Sequence, residues 1–334
     1  MTTTVLLLLL SAAVIYVSCE YFVNGVEWVG RRLGVSQSAV GTVLAAFGTA
    51  LPESVVTFVA VVFGDTTAQK DIGVGAALGG PLVLGTIAYA VVGGVFLWSR
   101  NKQDGVLLAS VDTRKLSRDQ SWFMGIFVLK VALGLVAFAI KPWLGALFVV
   151  AYGLYVWEEM RRVDAGAVEL ELEALKFQPH SAEPSTAWAV FQTAVALAVI
   201  FFSSHVFVQQ LDAIGPWLGM SPQMAALLLS PVATELPEIL NAVIWVRQGK
   251  IALALGNISG AMMIQATIPS ALGIFFTPWI LSTPLVWAAA VTMIAVAALF
   301  VLLRKQALTP IRMALLGLLY ALFAAGLPLL GGLK

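Results

Sequence analysis

Hydrophobic residues run along this chain in long blocks that short polar segments separate. A helix needs about 20 mostly apolar residues to cross the hydrocarbon core of a bilayer. Ten blocks approach or exceed this length, and their limits are Thr4–Val23, Val35–Phe63, Ile72–Trp98, Ser121–Ile140, Trp143–Trp157, Ala187–Leu211, Pro222–Val246, Ile251–Phe276, Leu281–Leu303 and Ala307–Leu330. The pattern therefore predicts an all-α integral membrane protein with ten transmembrane helices.

The longest polar segment, Glu158–Pro184, lies between the fifth and the sixth predicted spans. It carries two runs of charged residues and two prolines, which favour a loop. We therefore divide the chain into a first five-helix repeat (1–160), a cytoplasmic linker (161–185) and a second five-helix repeat (186–334). Because five is an odd number, the two repeats must be inverted relative to each other, an arrangement found in many membrane transporters.

The basic residues predict the orientation, because Lys and Arg of short loops stay on the cytoplasmic side. With both termini outside, only Lys70, Lys141 and Lys334 fall in outer segments. Lys130 lies within a span, where we expect a structural ion pair. The other fifteen of the 19 basic residues fall inside, so we predict a multi-pass protein of the cell (inner) membrane with a cytoplasmic 161–185 loop.

Composition supports a bilayer as the surrounding medium. Hydrophobic residues make up 60% of the chain and charged residues 11%, whereas soluble proteins are about 25% charged. The net charge of +1 provides no basic field for nucleic acid. One cysteine and two histidines argue against a Cys/His metal cage. The expected partners are the lipid bilayer and inorganic cations, and the oligomeric state is left open.

An internal repeat links the two halves. Residues 48–53 read Gly-Thr-Ala-Leu-Pro-Glu, and residues 233–238 read Ala-Thr-Glu-Leu-Pro-Glu. Each segment lies in the second span of its half and is followed by a glycine-rich third span, at 73–80 and 255–261. Small residues in neighbouring membrane helices allow close backbone approach. The repeat therefore predicts that the two second spans face the two third spans.

Proline breaks are expected in the second and seventh helices, at Pro52 and Pro237. A break frees carbonyl oxygens, which are tolerated at membrane depth only where protein or a cavity covers them. Glutamate and threonine next to such carbonyls form the oxygen-rich environment that calcium prefers. An inverted repeat would place the two glutamates on opposite walls of one midplane site. The residues concerned are Thr49, Glu53, Thr234 and Glu238.

These segments resemble the sodium/calcium exchanger family of the cation/calcium antiporter superfamily, and the chain is identified as a divergent bacterial-type member. The family has ten spans, inverted five-helix repeats and a Gly-Thr-Ser-Leu-Pro-Glu signature in each second span. The resemblance implies that Glu53 and Glu238 ligate calcium and help to bind sodium. It also implies that oxygens of Thr49 and Thr234 face the site.

The chain departs from the family pattern in both halves. Where the family has serine after each threonine, this chain has Ala50 and Glu235. Pro81 and Met262 replace the family's Asn or Asp in the third spans. The resemblance therefore supports cation transport but does not carry over a sodium/calcium stoichiometry, and Glu235 becomes a candidate ligand of its own.

Two amides of the second half complete the candidate site. Asn257 retains a family asparagine, whereas its first-half counterpart is Ala76. Gln265 falls near a later family asparagine, opposite Leu84. The predicted ion-binding residues are therefore Glu53, Glu238, Glu235, Thr49, Thr234, Asn257 and Gln265.

The functional hypothesis is a secondary active antiporter that exchanges calcium or another divalent cation for sodium by alternating access at the glutamates. A proton-coupled divalent exchanger is the alternative, favoured by the lost Asn/Asp positions and by Glu235. An intramembrane enzyme is a rival, but the chain has no Gly-x-Ser-x-Gly or His-Glu-x-x-His motif. A cation channel is a further rival. We expect no enzyme activity and no cofactor beyond the transported cation.

Overall fold

The computed structural model describes residues 1–32, 50–99, 111–163, 172–181 and 183–330, and within them it contains helices but no strand. The α-helices are α1 Thr2–Arg32, α2 Leu51–Val62, α3 Thr67–Val83, α4 Tyr89–Ser99, α5 Thr113–Gly134, α6 Gly145–Val163, α7 Thr186–Trp217, α8 Pro222–Thr234, α9 Leu236–Arg247, α10 Ile251–Phe276, α11 Thr283–Arg304, α12 Pro310–Leu315 and α13 Gly317–Gly326. A π-helical turn at Leu84–Ala88 joins α3 to α4, and short 3₁₀ turns lie at Lys141–Leu144 and Pro328–Leu330.

Seven of the described helical segments are long and apolar enough to cross a membrane: Thr2–Arg32, Thr67–Trp98, Thr186–Trp217, Pro222–Arg247, Ile251–Phe276, Thr283–Arg304 and Pro310–Leu330. They coincide with seven of the ten predicted spans. The second predicted span is described only from residue 50 onward, as α2. The fourth and fifth correspond to α5 and α6, which carry charged residues. The count of ten spans therefore stays a prediction.

The predicted limits of the fourth and fifth spans are wrong. We expected Ser121–Ile140, but α5 begins at Thr113 and ends at Gly134. The side chain of Asp112 accepts hydrogen bonds from the backbone N–H groups of Arg114 and Lys115, both at 3.0 Å. This cap starts the helix in a charged segment before the apolar block. The sixth helix similarly continues through charged residues to Val163.

Helix α10 lies at the centre of the bundle. Its neighbours include α2, α3, α5, α6 and α9, and 72% of the most apolar part of the helix is buried, compared with 17% for α1. Helix α1 runs along α7 in the most extensive helix pair of the described residues. The exposed apolar surface of α1 suits contact with lipid, whereas α10 and α3 form the interior of the bundle.

Close approach between α3 and α8 depends on glycine, as expected from the third-span pattern. A Cβ on Gly75 would overlap the backbone carbonyl of Gln223, and one on Gly79 would lie 2.6 Å from the carbonyl oxygen of Leu227. Both obstacles are backbone atoms, which cannot move independently of α8. The glycines therefore fix the distance between two helices that belong to different halves of the chain.

The described part of the linker docks onto the ends of α1 and α7. The backbone N–H of Lys176 donates to Oδ1 of Asn24 at 3.0 Å, and Nε2 of Gln192 donates to the same oxygen at 2.9 Å. The backbone N–H of Phe177 donates to Oε1 of Gln192 at 2.8 Å. These bonds hold the linker, the C-terminal end of α1 and the N-terminal end of α7 at the same side of the bundle.

Candidate functional site

The predicted break of the seventh helix lies at Glu235, where two helices meet. Helix α8 ends at Thr234 and α9 begins at Leu236, and Glu235 between them has φ −99° and ψ −12°. Pro237 is in the first turn of α9, so it cannot donate a backbone hydrogen bond back into α8. Residues 33–49 are outside the described part of the chain, and the predicted break of the second helix therefore stays a prediction.

A threonine hydroxyl at this junction lies between two carboxylates. Oγ1 of Thr234 is 2.9 Å from Oε2 of Glu53 and 2.9 Å from Oε1 of Glu235. It is also 3.2 Å from the backbone carbonyl oxygen of Ser230. A hydroxyl has one hydrogen to donate, so it can satisfy only one of these three acceptors at a time. A proton or a cation is needed to balance the rest of this oxygen cluster.

A side-chain amide from α10 contacts one of these two carboxylates. Nε2 of Gln265 donates to Oε2 of Glu235 at 2.7 Å. On the opposite side the backbone of α3 comes so close that a Cβ on Gly80 would lie 2.6 Å from Oε1 of Gln265 and 2.9 Å from Oε1 of Glu235. The side chains of Glu53, Thr234, Glu235 and Gln265 thus converge from α2, the α8–α9 junction and α10, against α3.

This polar cluster is shielded from solvent. The exposed fraction is 0% for Glu53, Glu235 and Gln265 and 1% for Thr234. Among the described residues, Oε1 of Glu53 and Oε1 of Gln265 have no hydrogen-bond partner. Buried oxygens without a donor are costly, and carboxylate and amide oxygens are ligands of hard cations. These unpaired oxygens are therefore the candidates to take up a proton or to ligate a cation.

The other predicted site residues have different positions. Glu238 is fully buried in the first turn of α9. Asn257 is buried on α10, two turns before Gln265. Thr49 lies outside the described residues. Within the described residues no three His, Cys, Asp or Glu side chains form a group that could hold a metal ion.

One residue near this cluster was not assigned to it from the sequence. Lys130 of α5 is fully buried, and its Nζ donates to the backbone carbonyl of Ala77 at 2.9 Å and lies 4.6 Å from the ring centroid of Phe127. The described contacts of this ammonium are thus a carbonyl and a ring, where the sequence led us to expect an ion pair. The only sequence signal was a lysine inside an apolar block, and its partner in another span could not be read from spacing.

A protein-family profile described as sodium/calcium exchanger protein matches residues 3–158 and 188–327, which is most of the chain. The chain belongs to the sodium/calcium exchanger family. Among curated relatives, this exchanger-family chain is 25% identical over 272 residues to "Putative antiporter CaxA" of Alkalimonas amylolytica, covering 79% of this chain and 78% of that protein. It is 26% identical over 283 residues to the inner membrane protein YrbG of Escherichia coli (strain K12), covering 81% and 79%.

Solved structures show the same fold. The sodium-calcium exchanger NCX_Mj matches this exchanger-family chain with a TM-score of 0.59 at 18% identity, covering 97% of this chain and 98% of that chain. The H⁺/Ca²⁺ exchanger CAX matches with a TM-score of 0.63 at 17% identity, covering 97% and 88%. The family and the fold are those of membrane transporters and not of enzymes, and the chain is a multi-pass integral membrane protein.

Proposed function

We propose that this chain is a secondary active antiporter that moves calcium or another divalent cation through the site formed by Glu53, Thr234, Glu235 and Gln265. The observation that carries the proposal is the Thr234 hydroxyl, which lies 2.9 Å from two fully buried carboxylates. Glu53 belongs to the first half of the chain and Glu235 to the second. Because both halves supply a carboxylate to one contact, a movement between the halves would open and close the site.

The proposed architecture is ten spans in two inverted five-helix repeats, with both termini outside. Packing supports it: α1 lies along α7, the first spans of the two halves, and α3 packs on α8 while α10 packs on α2. In each of the last two pairs, the third span of one half contacts the second span of the other. The family profile also matches two segments, 3–158 and 188–327, on either side of the linker.

The remaining predicted ligands would enlarge this site during transport. Glu238 is buried on α9, next to the α8–α9 junction, and Asn257 is buried on α10. Calcium takes about six to eight oxygen ligands, which is more than the four clustered side chains provide. We propose that Glu238, Asn257 and Thr49 contribute ligands in other states of the cycle.

The counter-ion is proposed to be sodium, with protons as the second candidate. Two carboxylates close together in a buried site cannot both stay charged without a cation or a proton. A divalent ion, two sodium ions or two protons each provide this charge. The single donor of Thr234 between two carboxylates favours protons, because a protonated carboxyl supplies the hydrogen that the hydroxyl cannot. Structural relatives include both a sodium-calcium and an H⁺/Ca²⁺ exchanger.

Flux into proteoliposomes tests the proposal. Radioactive calcium uptake by the purified chain is measured under an imposed sodium gradient, under an imposed pH gradient and with neither. We expect uptake with one gradient and its loss in Glu53→Gln. The matched control is Glu183→Gln, because this glutamate has 76% of its side chain exposed and should transport normally. Unchanged uptake by Glu53→Gln would show that the site is elsewhere.

A further inference from the structure

A basic cavity lies between the start of α5 and the end of α11. It has a volume of about 530 Å³, and three arginines line it: Arg114 and Arg118 of α5 and Arg304 of α11. Thr113 and Ser117 add side-chain hydroxyls. Among the described residues that line this cavity there is no carboxylate. The cavity therefore presents positive charge and hydroxyl donors, which suit an anion.

Two of the three guanidinium groups can serve a ligand. Arg118 lies 2.9 Å from a carboxylate oxygen of Glu159 and 3.7 Å from one of Asp119, so the protein itself balances its charge. The ion pairs of the described residues include neither Arg114 nor Arg304, and both arginines are exposed. These two residues therefore give the cavity its net positive charge.

The donors and the size of the cavity favour a phosphate group over a small anion. The planar N–H groups of arginine can bind two oxygens of one phosphate. The guanidinium of Arg304 lies 5.6 Å from the centroid of the Phe300 ring, and stacking on a ring leaves the N–H groups at the edge of the guanidinium for a ligand. The volume is many times the roughly 30 Å³ that one water molecule takes up in the liquid. The cavity can therefore hold a headgroup that contains a phosphate.

The cavity lies at the end of the bundle where the linker begins. Arg118 contacts Glu159, which is near the C-terminal end of α6, and the linker follows α6 in the chain. We predict that this end faces the cytoplasm. Basic pockets between membrane helices on the cytoplasmic side are typical binding sites for the headgroups of anionic lipids.

Exposed apolar surface continues from the cavity along both helices. On α5, Ser121 lines the cavity, and one turn later a Cβ on Gly125 would meet nothing within 4 Å. Val128, on the next turn of α5, is 46% exposed, as is Val301, which precedes Arg304 by three residues on α11. A soluble anion would gain nothing from this surface. The acyl chains of a lipid could lie on it while the headgroup occupies the cavity.

We propose that this cavity binds the phosphate group of an anionic phospholipid, with Arg114 and Arg304 as the charged contacts and the acyl chains along α5 and α11. Because one lipid would contact both helices, its binding should stabilise their packing. The inference goes beyond the proposed transport function, and it does not depend on Glu53 or Glu235.

Lipid binding to the purified full chain in detergent tests this site. The melting temperature is recorded at increasing concentrations of phosphatidylglycerol and, in parallel, of phosphatidylcholine, which has no net charge. We expect phosphatidylglycerol to stabilise the chain at concentrations at least about tenfold lower than phosphatidylcholine, because two guanidinium groups attract a net negative charge. Native mass spectrometry gives a second readout: the unmodified chain should retain one more phosphatidylglycerol than the double variant Arg114→Gln/Arg304→Gln.

Arg304→Gln and Lys305→Gln form a matched pair, because both remove one exposed positive charge at the end of α11 and only Arg304 lines the cavity. The midpoint concentration of phosphatidylglycerol should rise about fivefold or more in Arg304→Gln and stay within about twofold in Lys305→Gln. Adding Arg114→Gln to Arg304→Gln should raise it further. Equal midpoints in the matched pair would mean a general attraction of the basic surface and would overturn the inference.

Glycerol phosphate separates a lipid from a free phosphate ester, since it has the phosphate but no acyl chain. We expect it to leave the melting temperature unchanged at the concentrations at which phosphatidylglycerol acts. Equal stabilisation by glycerol phosphate, lost in Arg304→Gln, would make a soluble phosphate ester the ligand and overturn the lipid assignment. Equal stabilisation by the two phospholipids would show that the headgroup charge is irrelevant, and it would overturn the inference as well.

Discussion

At the scale of single residues, Thr234 has the central position because three acceptors surround a hydroxyl that has one hydrogen to donate. Its hydroxyl lies between Glu53 and Glu235 and also near the carbonyl of Ser230. Hydrogen bonds to charged groups contribute about 1.5–3 kcal/mol, more than those between neutral groups. A residue that links carboxylates of both halves should therefore influence ion binding more strongly than its size suggests.

Replacing Thr234 with alanine should weaken divalent transport. We expect Thr234→Ala to raise the calcium concentration for half-maximal uptake by about tenfold or more, since a hydrogen bond to a buried carboxylate is lost. Thr234→Ser keeps the hydroxyl and should stay within about twofold of the unmodified chain. Initial uptake rates in proteoliposomes at a series of calcium concentrations provide the measurement. Equal effects of the two substitutions would mean that the threonine methyl group, and not the hydroxyl, matters.

Glu235 carries a second prediction at this scale, because it stands where the family resemblance leads us to expect serine. In Glu235→Gln the site loses one negative charge but keeps a polar side chain that can contact Gln265. Calcium-dependent stabilisation of the purified chain should need about tenfold more calcium, as expected for one carboxylate fewer beside a divalent ion. Glu173→Gln, in the exposed part of the linker, is the control. A calcium response equal to that of the control would exclude Glu235 as a ligand.

At the scale of helices, α3 serves two purposes through different glycines. Gly75 and Gly79 lie against the backbone of α8, whereas Gly80 lies against the side-chain ends of Gln265 and Glu235. A Cβ at the first two positions would have to displace a helix. A Cβ at Gly80 would have to displace only the two side chains of the site. Substitutions along one helix should therefore separate effects on packing from effects on ion binding.

Gly80→Ala should reduce calcium flux by at least about tenfold, because its Cβ would occupy the space of both site side chains, which must leave their observed contact. Gly94→Ala is the matched control, since a Cβ at Gly94 has nothing within 4 Å. Alanine favours a helix over glycine by about 1 kcal/mol, so neither variant should lose helical structure. Flux and melting temperature are measured together. Normal flux in Gly80→Ala would contradict the placement of α3 against the site.

The helices also show what a sequence pattern can and cannot predict. Hydropathy located the helices with long apolar blocks, but it missed the start of α5, because the Asp112 cap acts in a charged segment. The Leu-Pro-Glu repeat indicated Glu53 and the region of Thr234 as a candidate site. A carboxylate inside a membrane span is energetically unfavourable unless other groups or ions compensate it. The hydrogen bond from Lys130 to the carbonyl of Ala77 depends on helix packing, which sequence spacing does not contain. Glu53, Glu235 and Gln265 as ligands remain predictions.

At the scale of the whole molecule, the position of the linker bears on which end of the bundle faces the cytoplasm. Its described part is bound to the C-terminal end of α1 and the N-terminal end of α7 through Asn24 and Gln192. The C-terminal end of α1 carries Arg31 and Arg32, which the positive-inside rule places in the cytoplasm. The linker and the two arginines lie at the same side of the bundle. This position agrees with the prediction of a cytoplasmic linker and an N-terminus outside.

Cysteine labelling tests this orientation, and the chain suits it because Cys19, its single cysteine, is buried. Asp65, beyond the end of α2, and His180, in the linker, are both exposed. We expect a membrane-impermeant maleimide to label Asp65→Cys in intact cells, and His180→Cys only after the membrane is opened. The unmodified chain is the background control. The reverse pattern would invert the topology, and labelling of both positions from outside would contradict an odd number of spans in each half.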